Sequence, residues 1–277
     1  MGVGFQPPLP RRRPQFGPLA RMNGPAQGTG SGGPTTQRPT TQGTTQGTTQ
    51  AAGQGNQAAV EQANMVVATA STDIPQQYAG KSAVWKSGYR DGLAQARDGL
   101  ANIEGDATTR SAIADASTAT GVDIDNLTAM AIIESTGNRS IGTNGSGYTG
   151  LMQMGSEATR EVGMRFSSVK GASNVANNAL AGAKYWNLND ERLGEDVPRD
   201  PLHMYLAHQQ GAGGTTRLHE TLQTNPTAAA TGAQKGNLPE ALRATLGKNI
   251  TQQDFYDYWA GKMQAIQDAL AARNAAP

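Results

Sequence analysis

From about residue 57 onward, apolar positions recur at helical spacing, and no convincing period-2 strand interrupts them. A first helical stretch is predicted over roughly 57–70 and a second over 79–103, with Val84, Tyr89, Leu93 and Leu100 as its apolar markers. A third begins after Asp106 and stops near Gly121. Asp125 reads as the N-cap of a fourth, which ends at Gly137. Ser156 and Ser173 read as caps of the next two, and Asp200-Pro201 opens another that Gly211 closes. Asn237-Leu238-Pro239 and Thr251 open the last two. Residues 187–199 read as a polar loop, and the glycine-rich loop at 142–150 as a loop or small hairpin. The fold class expected is therefore mainly α.

The fourth helix is the greasiest. Leu127, Met130, Ala131 and Glu134 fall at i, i+3, i+4 and i+7, on one face, and Ile132 and Ile133 fill the flanks. Such a helix is expected to be central and buried, with Glu134 at its C-terminal end pointing where the core residues point. Desolvation there disfavours the carboxylate, and the negative end of the helix dipole adds to it. A carboxyl group kept protonated near neutral pH is what general-acid cleavage of a glycosidic bond requires. The helix alone leaves a second reading open, in which Glu134 caps a neighbour or pairs with Arg139 or Lys184. Beyond it, Thr143-Asn144-Gly145-Ser146-Gly147-Tyr148-Thr149-Gly150 puts three glycines among small polar residues, so that backbone can approach a hydroxyl-rich ligand. Gln153 adds a side-chain donor and acceptor.

Composition changes the picture mainly before residue 57. Residues 1–56 are low in complexity, with Thr-Thr-Gln recurring at 35, 40, 44 and 48, and disorder is the expectation. Residues 1–60 hold five arginines and no acid; against a net charge of +1 this leaves −4 on the remainder. Arg11-Arg12-Arg13 reads as a solvated basic run or as a contact for DNA. The absence of cysteine excludes thiolate catalysis and zinc–cysteine sites. No apolar run is long enough to span a membrane, and MGVGFQPPLPRRRP lacks the apolar segment of a secretory signal. His203 and His208 are five apart and do not share a helix face as a metal pair would, so no metal or cofactor is expected. Gly80-Lys81-Ser82 resembles the end of a phosphate loop, but Pro75 stands where the first glycine belongs. Tyr185 and Trp186, following Val175, Ala179 and Ala183, read as core.

Three segments in order carry a resemblance: Glu134-Ser135, then Gly150-Leu151-Met152-Gln153, then Ala207-His208-Gln209-Gln210-Gly211. Together they resemble the soluble lytic transglycosylases, which share the goose-type lysozyme fold, over roughly residues 105–222. The family's third segment is Ala-Tyr-Asn-x-Gly, so His208 and Gln209 depart from it in a manner similar to phage-encoded members. The domains implied are a disordered basic tail at 1–56, a helical extension at 57–104, the catalytic domain at 105–222 and a C-terminal helical extension at 223–277.

The resemblance implies that Glu134 protonates the bond between N-acetylmuramic acid and N-acetylglucosamine, and that the muramic acid's own C6 hydroxyl closes a 1,6-anhydro ring. It implies substrate contacts from Ser135, Thr143, Ser146, Tyr148, Gln153, Met154, His208 and Gln209. No second carboxylate is then needed, and Asp190, Glu191, Glu195 and Asp196 read as a solvated face. The expected partners are peptidoglycan glycan strands and other virion or ejection proteins. The expected setting is a phage particle acting at the host periplasm or wall. A water-using goose-type muramidase and a glycan-binding structural ejection protein are the competing readings. Phe255, Tyr258, Trp259 and Met263 form a stripe in 249–272 that either docks on a partner or packs back on the domain.

Overall fold

A computed structural model describes residues 74–276. The expected helix at 57–70, the low-complexity tail and its arginine cluster lie outside the described residues. Ten helices follow in the described part: α1 (Ala83–Gly105), α2 (Ala107–Thr120), α3 (Ile124–Ser135), α4 (Ser156–Glu161), α5 (Val175–Arg192), α6 (Pro201–Gln210), α7 (Ala212–Thr224), α8 (Gly232–Gly236), α9 (Glu240–Leu246) and α10 (Gln252–Ala275). Among the described residues β pairing is limited to two isolated bridges, Thr149 with Met154 and Ala229 with Thr251. The mainly α expectation holds.

Helix α3 runs through the centre, with Leu127, Met130, Ala131, Ile132 and Ile133 all buried. Its cap is Asp123 rather than Asp125, accepting from the backbone N–H groups of Asp125 and Asn126 at 2.9 and 3.2 Å. Asp125 instead sits in the first turn and takes a 2.7 Å bond from Arg273 of α10. At the other end Thr136 and Gly137 turn left-handed (φ 53° and 67°), and a Cβ on Gly137 would lie 2.6 Å from the Gly99 carbonyl oxygen. The last carbonyls of α3 find donors on α1. Gln95 Nε2 reaches Ile132 O and Ile133 O at 2.8 and 2.9 Å, and Asn102 Nδ2 reaches Thr136 O at 2.9 Å.

Helices α1 and α10 meet almost backbone to backbone. A Cβ on Gly88 would stand 1.9 Å from Tyr258 O, and one on Gly261 2.0 Å from Trp85 O. Only glycine permits that approach. Thr251 and Asp254 form a reciprocal capping box that starts α10. Phe255, Tyr258, Trp259 and Met263 are buried, so the aromatic stripe packs back on the domain.

Three local expectations are corrected. Residues 187–192 are helical: α5 continues to Arg192 because Asn189 and the preceding Tyr185 and Trp186 face the core, leaving only 193–199 as loop. Ser156 is the first residue of α4, with Gly155 as N-cap, and Ser173 lies in a 3-10 turn (Ala172–Asn174) leading into α5. Residues 79–82 precede α1, whose cap is Ser82, accepting from Trp85 N at 3.0 Å.

Candidate active site

Glu134 occupies the last turn of α3, with its side chain only 2 % exposed. Burial drives its carboxyl up from the ordinary range to about 8, against the opposing effects of a hydrogen bond with the Tyr205 hydroxyl and of the Lys262 charge. The acid is therefore protonated at neutral pH. Arg139 is taken by Asp106, and Lys184 is exposed, so neither is the partner considered from sequence.

Helix α6 forms one wall. Asp200 caps it, accepting from His203 N at 2.9 Å, and Pro201 fixes its first turn. Tyr205, His208 and Gln209 lie at i, i+3 and i+4 and are all buried. His208 Nε2 stands 3.8 Å from Glu134 Oε1, too far for a hydrogen bond. Burial pushes the imidazole down to about 4, with the Met152 carbonyl opposing, so it is neutral. Tyr185 of α5 meets it edge to face at 5.7 Å between ring centroids.

The Gly150–Gln153 segment forms the floor and is clamped by Asn178 of α5. Asn178 accepts from Met152 N at 2.7 Å and donates to Thr149 O and Val169 O at 2.9 and 3.1 Å. Gly150 (φ 75°) lets the clamp close, for a Cβ there would lie 2.5 Å from Asn178 Nδ2. Gln153, itself left-handed at φ 42°, donates to Gly150 O at 2.9 Å and accepts from Asn144 Nδ2 at 2.9 Å. The loop before it is a series of turns around Asn144, not a hairpin; Asn144 N donates to Tyr148 O at 2.8 Å.

The residues singled out in sequence occupy different places. Glu134, His208, Gln209 and the half-buried Tyr148 come together, and the Glu134 charge helps burial to raise the Tyr148 hydroxyl. Thr143 and Ser146 are exposed on the loop. Ser135 turns its hydroxyl back to Ala131 O at 2.9 Å, and Met154 is wholly inside the core. Asp190, Glu191, Glu195 and Asp196 are exposed, with Asp190 paired to Arg199. Three buried atoms near the site, His208 Nδ1, Gln209 Oε1 and Thr149 Oγ1, have no hydrogen-bond partner, which suits them to a polar ligand.

Sequence reading missed Tyr205 and Lys262. Tyr205 had a signal, three residues before His208 on the same face. Lys262 had none, being 128 residues from Glu134. Among the described residues no cluster of His, Cys, Asp and Glu suits a metal, and no helix is long and apolar enough to cross a membrane.

Residues 111–230 match the family model of the transglycosylase SLT domain. A comparison with curated proteins returns no match.

Proposed function

Through this SLT domain the chain belongs to the soluble lytic transglycosylases, enzymes of peptidoglycan, and we propose that Glu134 is its acid and that it works as a virion-associated member opening the wall during phage genome delivery. The carrying observation is the enclosed Glu134 carboxyl, protonated at neutral pH and set beside Tyr205 and His208. Such a group gives its proton to the glycosidic oxygen between N-acetylmuramic acid and N-acetylglucosamine. The sugar gains oxocarbenium character, the ionised Glu134 takes the C6 hydroxyl proton, and a 1,6-anhydro ring closes without water. The exposed setting of Asp190, Glu191, Glu195 and Asp196 favours this route over a two-carboxylate hydrolysis.

Glycan contacts are assigned to Thr143, Ser146, Tyr148 and Gln153 from the loop and to His208 and Gln209 from α6. Ser135 and Met154 act by shaping the wall behind the acid. The virion role is supported by the Ala207-His208-Gln209-Gln210-Gly211 variant, which resembles phage-encoded members; virion proteins, and DNA at Arg11–Arg13, are its proposed partners.

Digestion of purified sacculi by the wild type and Glu134→Gln, with products weighed by mass spectrometry, tests the chemistry. Fragments one water lighter than the hydrolytic products, absent from the mutant digest, are expected. Reducing-end fragments would move the assignment to a muramidase. Binding without products from either protein would leave a structural wall-binding component. Mass spectrometry of purified particles checks the virion assignment, which fails if the chain is absent from them.

A further inference from the structure

The family match ends at residue 230, yet α10, residues Gln252–Ala275, packs against α3 and α6 and supplies part of the wall behind Glu134. The glycine seam sets where its side chains fall. A Cβ on Gly92 would lie 2.5 Å from Lys262 O and 3.0 Å from Lys262 Cα, so the Lys262 backbone is pressed onto α1. Its Nζ stands 5.1 Å over the Trp259 ring, and that ring lies 5.2 Å from Tyr205, whose hydroxyl meets Glu134. The ammonium thus belongs to one layered cluster: Lys262, Trp259, Tyr205, Glu134.

We infer that Lys262 is a positioning residue for the reaction, a cation that α10 builds into the site to stabilise the carboxylate left when Glu134 gives up its proton. The inference rests on Glu134 being the acid. The physical need is plain: proton donation leaves a negative charge where water does not reach, and a nearby fixed cation offsets much of that penalty. The surrounding groups are consistent with that role. From α1, exposed Asp91 bears on the lysine and accepts from Tyr258 Oη at 2.9 Å. From α6 come Tyr205 and the neutral His208, and from the loop Tyr148. Burial lowers Lys262 to about 8, with Asp91 and Glu134 opposing, so it remains mostly charged at neutral pH.

The test is the pH–rate profile of the full chain on sacculi between pH 5 and 10, with unfolding midpoints recorded in parallel. Lys262→Met is expected to slow turnover at pH 6 several-fold with KM unchanged, because the acid becomes weaker, and to move the alkaline limb up by about one pH unit. Lys262→Arg, which keeps the charge, should restore the pH 6 rate. Asp91→Asn should move the limb the opposite way, since losing its charge lets both groups release protons more readily. An unmoved limb in folded Lys262→Met would overturn the inference. Should that variant not fold, an unmoved limb in Asp91→Asn does the same. Glu134→Gln in the same assay separates the two levels: retained activity there removes the acid itself, whereas an inactive Glu134→Gln with unmoved limbs elsewhere removes only the role of Lys262.

Discussion

Glu134 and His208 face each other at 3.8 Å with both side chains sealed from solvent, and neither is charged at pH 7. The pair is not a salt bridge. The acid is raised and the base lowered by the same cause, the exclusion of water by α3, α6 and the Gly150–Gln153 segment. Each then favours folding in a different pH range.

For Glu134 the folded state holds a proton between about 4.5 and about 8 that the unfolded chain has lost. Stability therefore falls as pH rises through that window. Glu134→Gln removes the dependence. At pH 8 it should be more stable than wild type by on the order of a few kcal/mol, while losing about 1,000-fold or more in activity. Urea unfolding at pH 5 and pH 8, beside a sacculus assay, checks both.

For His208 the sign reverses. The unfolded chain binds a proton below about 6.5 that the folded site accepts only near 4, so this group's contribution is lost as pH falls from 6.5 to 4. His208→Gln should flatten the acid side of the stability profile. If His208 contacts the glycan as proposed, the catalytic effect of the substitution should appear mainly in KM, since the acid itself is kept. Thermal unfolding from pH 4 to 7 reads the first effect, and steady-state kinetics the second.

Asn178 offers a test of the floor. Asn178→Ala leaves Met152 N, Thr149 O and Val169 O without their clamp, at a loss of roughly 3 kcal/mol. If this segment lines the glycan site as proposed, activity should fall further than stability explains, because the Gly150–Gln153 backbone loosens. Comparing urea midpoints with turnover at a temperature where both proteins are folded separates the two.

The glycine seam offers another. Gly88→Ala forces a methyl to within 1.9 Å of Tyr258 O unless the helices part, and should destabilise the protein by roughly 3 kcal/mol. A fragment limited to residues 111–230 lacks α1 and α10 altogether and exposes the face of α3 they cover. It should fail to give a cooperative thermal transition, as circular dichroism would reveal.

The core helix and its acid were readable from sequence because they rest on local periodicity: Leu127, Met130, Ala131 and Glu134 announce one face without any knowledge of the fold. Helix ends were less so. Asp123 and Asp125 are both competent caps, and the choice was decided by Arg273, 148 residues from Asp125, which holds the second of them as an ion pair. The 187–192 stretch looks polar, but Asn189 is buried on a helix whose other face is solvated. Tyr205 was overlooked because an aromatic residue in an apolar helix resembles core. Lys262 could not be found, since its place follows from the crossing of α1 and α10, which small residues permit but do not announce.

That crossing also imposes an order in time. Lys262 is synthesised 128 residues after Glu134. A nascent chain that has made α3 but not α10 lacks the part of the packing over α3 and α6 that α10 supplies, and with it Lys262. Its carboxyl is to that extent less shielded from water and closer to the ordinary range. If Glu134 is the acid and Lys262 its supporting cation, as proposed, the site is complete only once this long helix has closed on α3 and α6, and the onset of activity follows the folding of a segment made late.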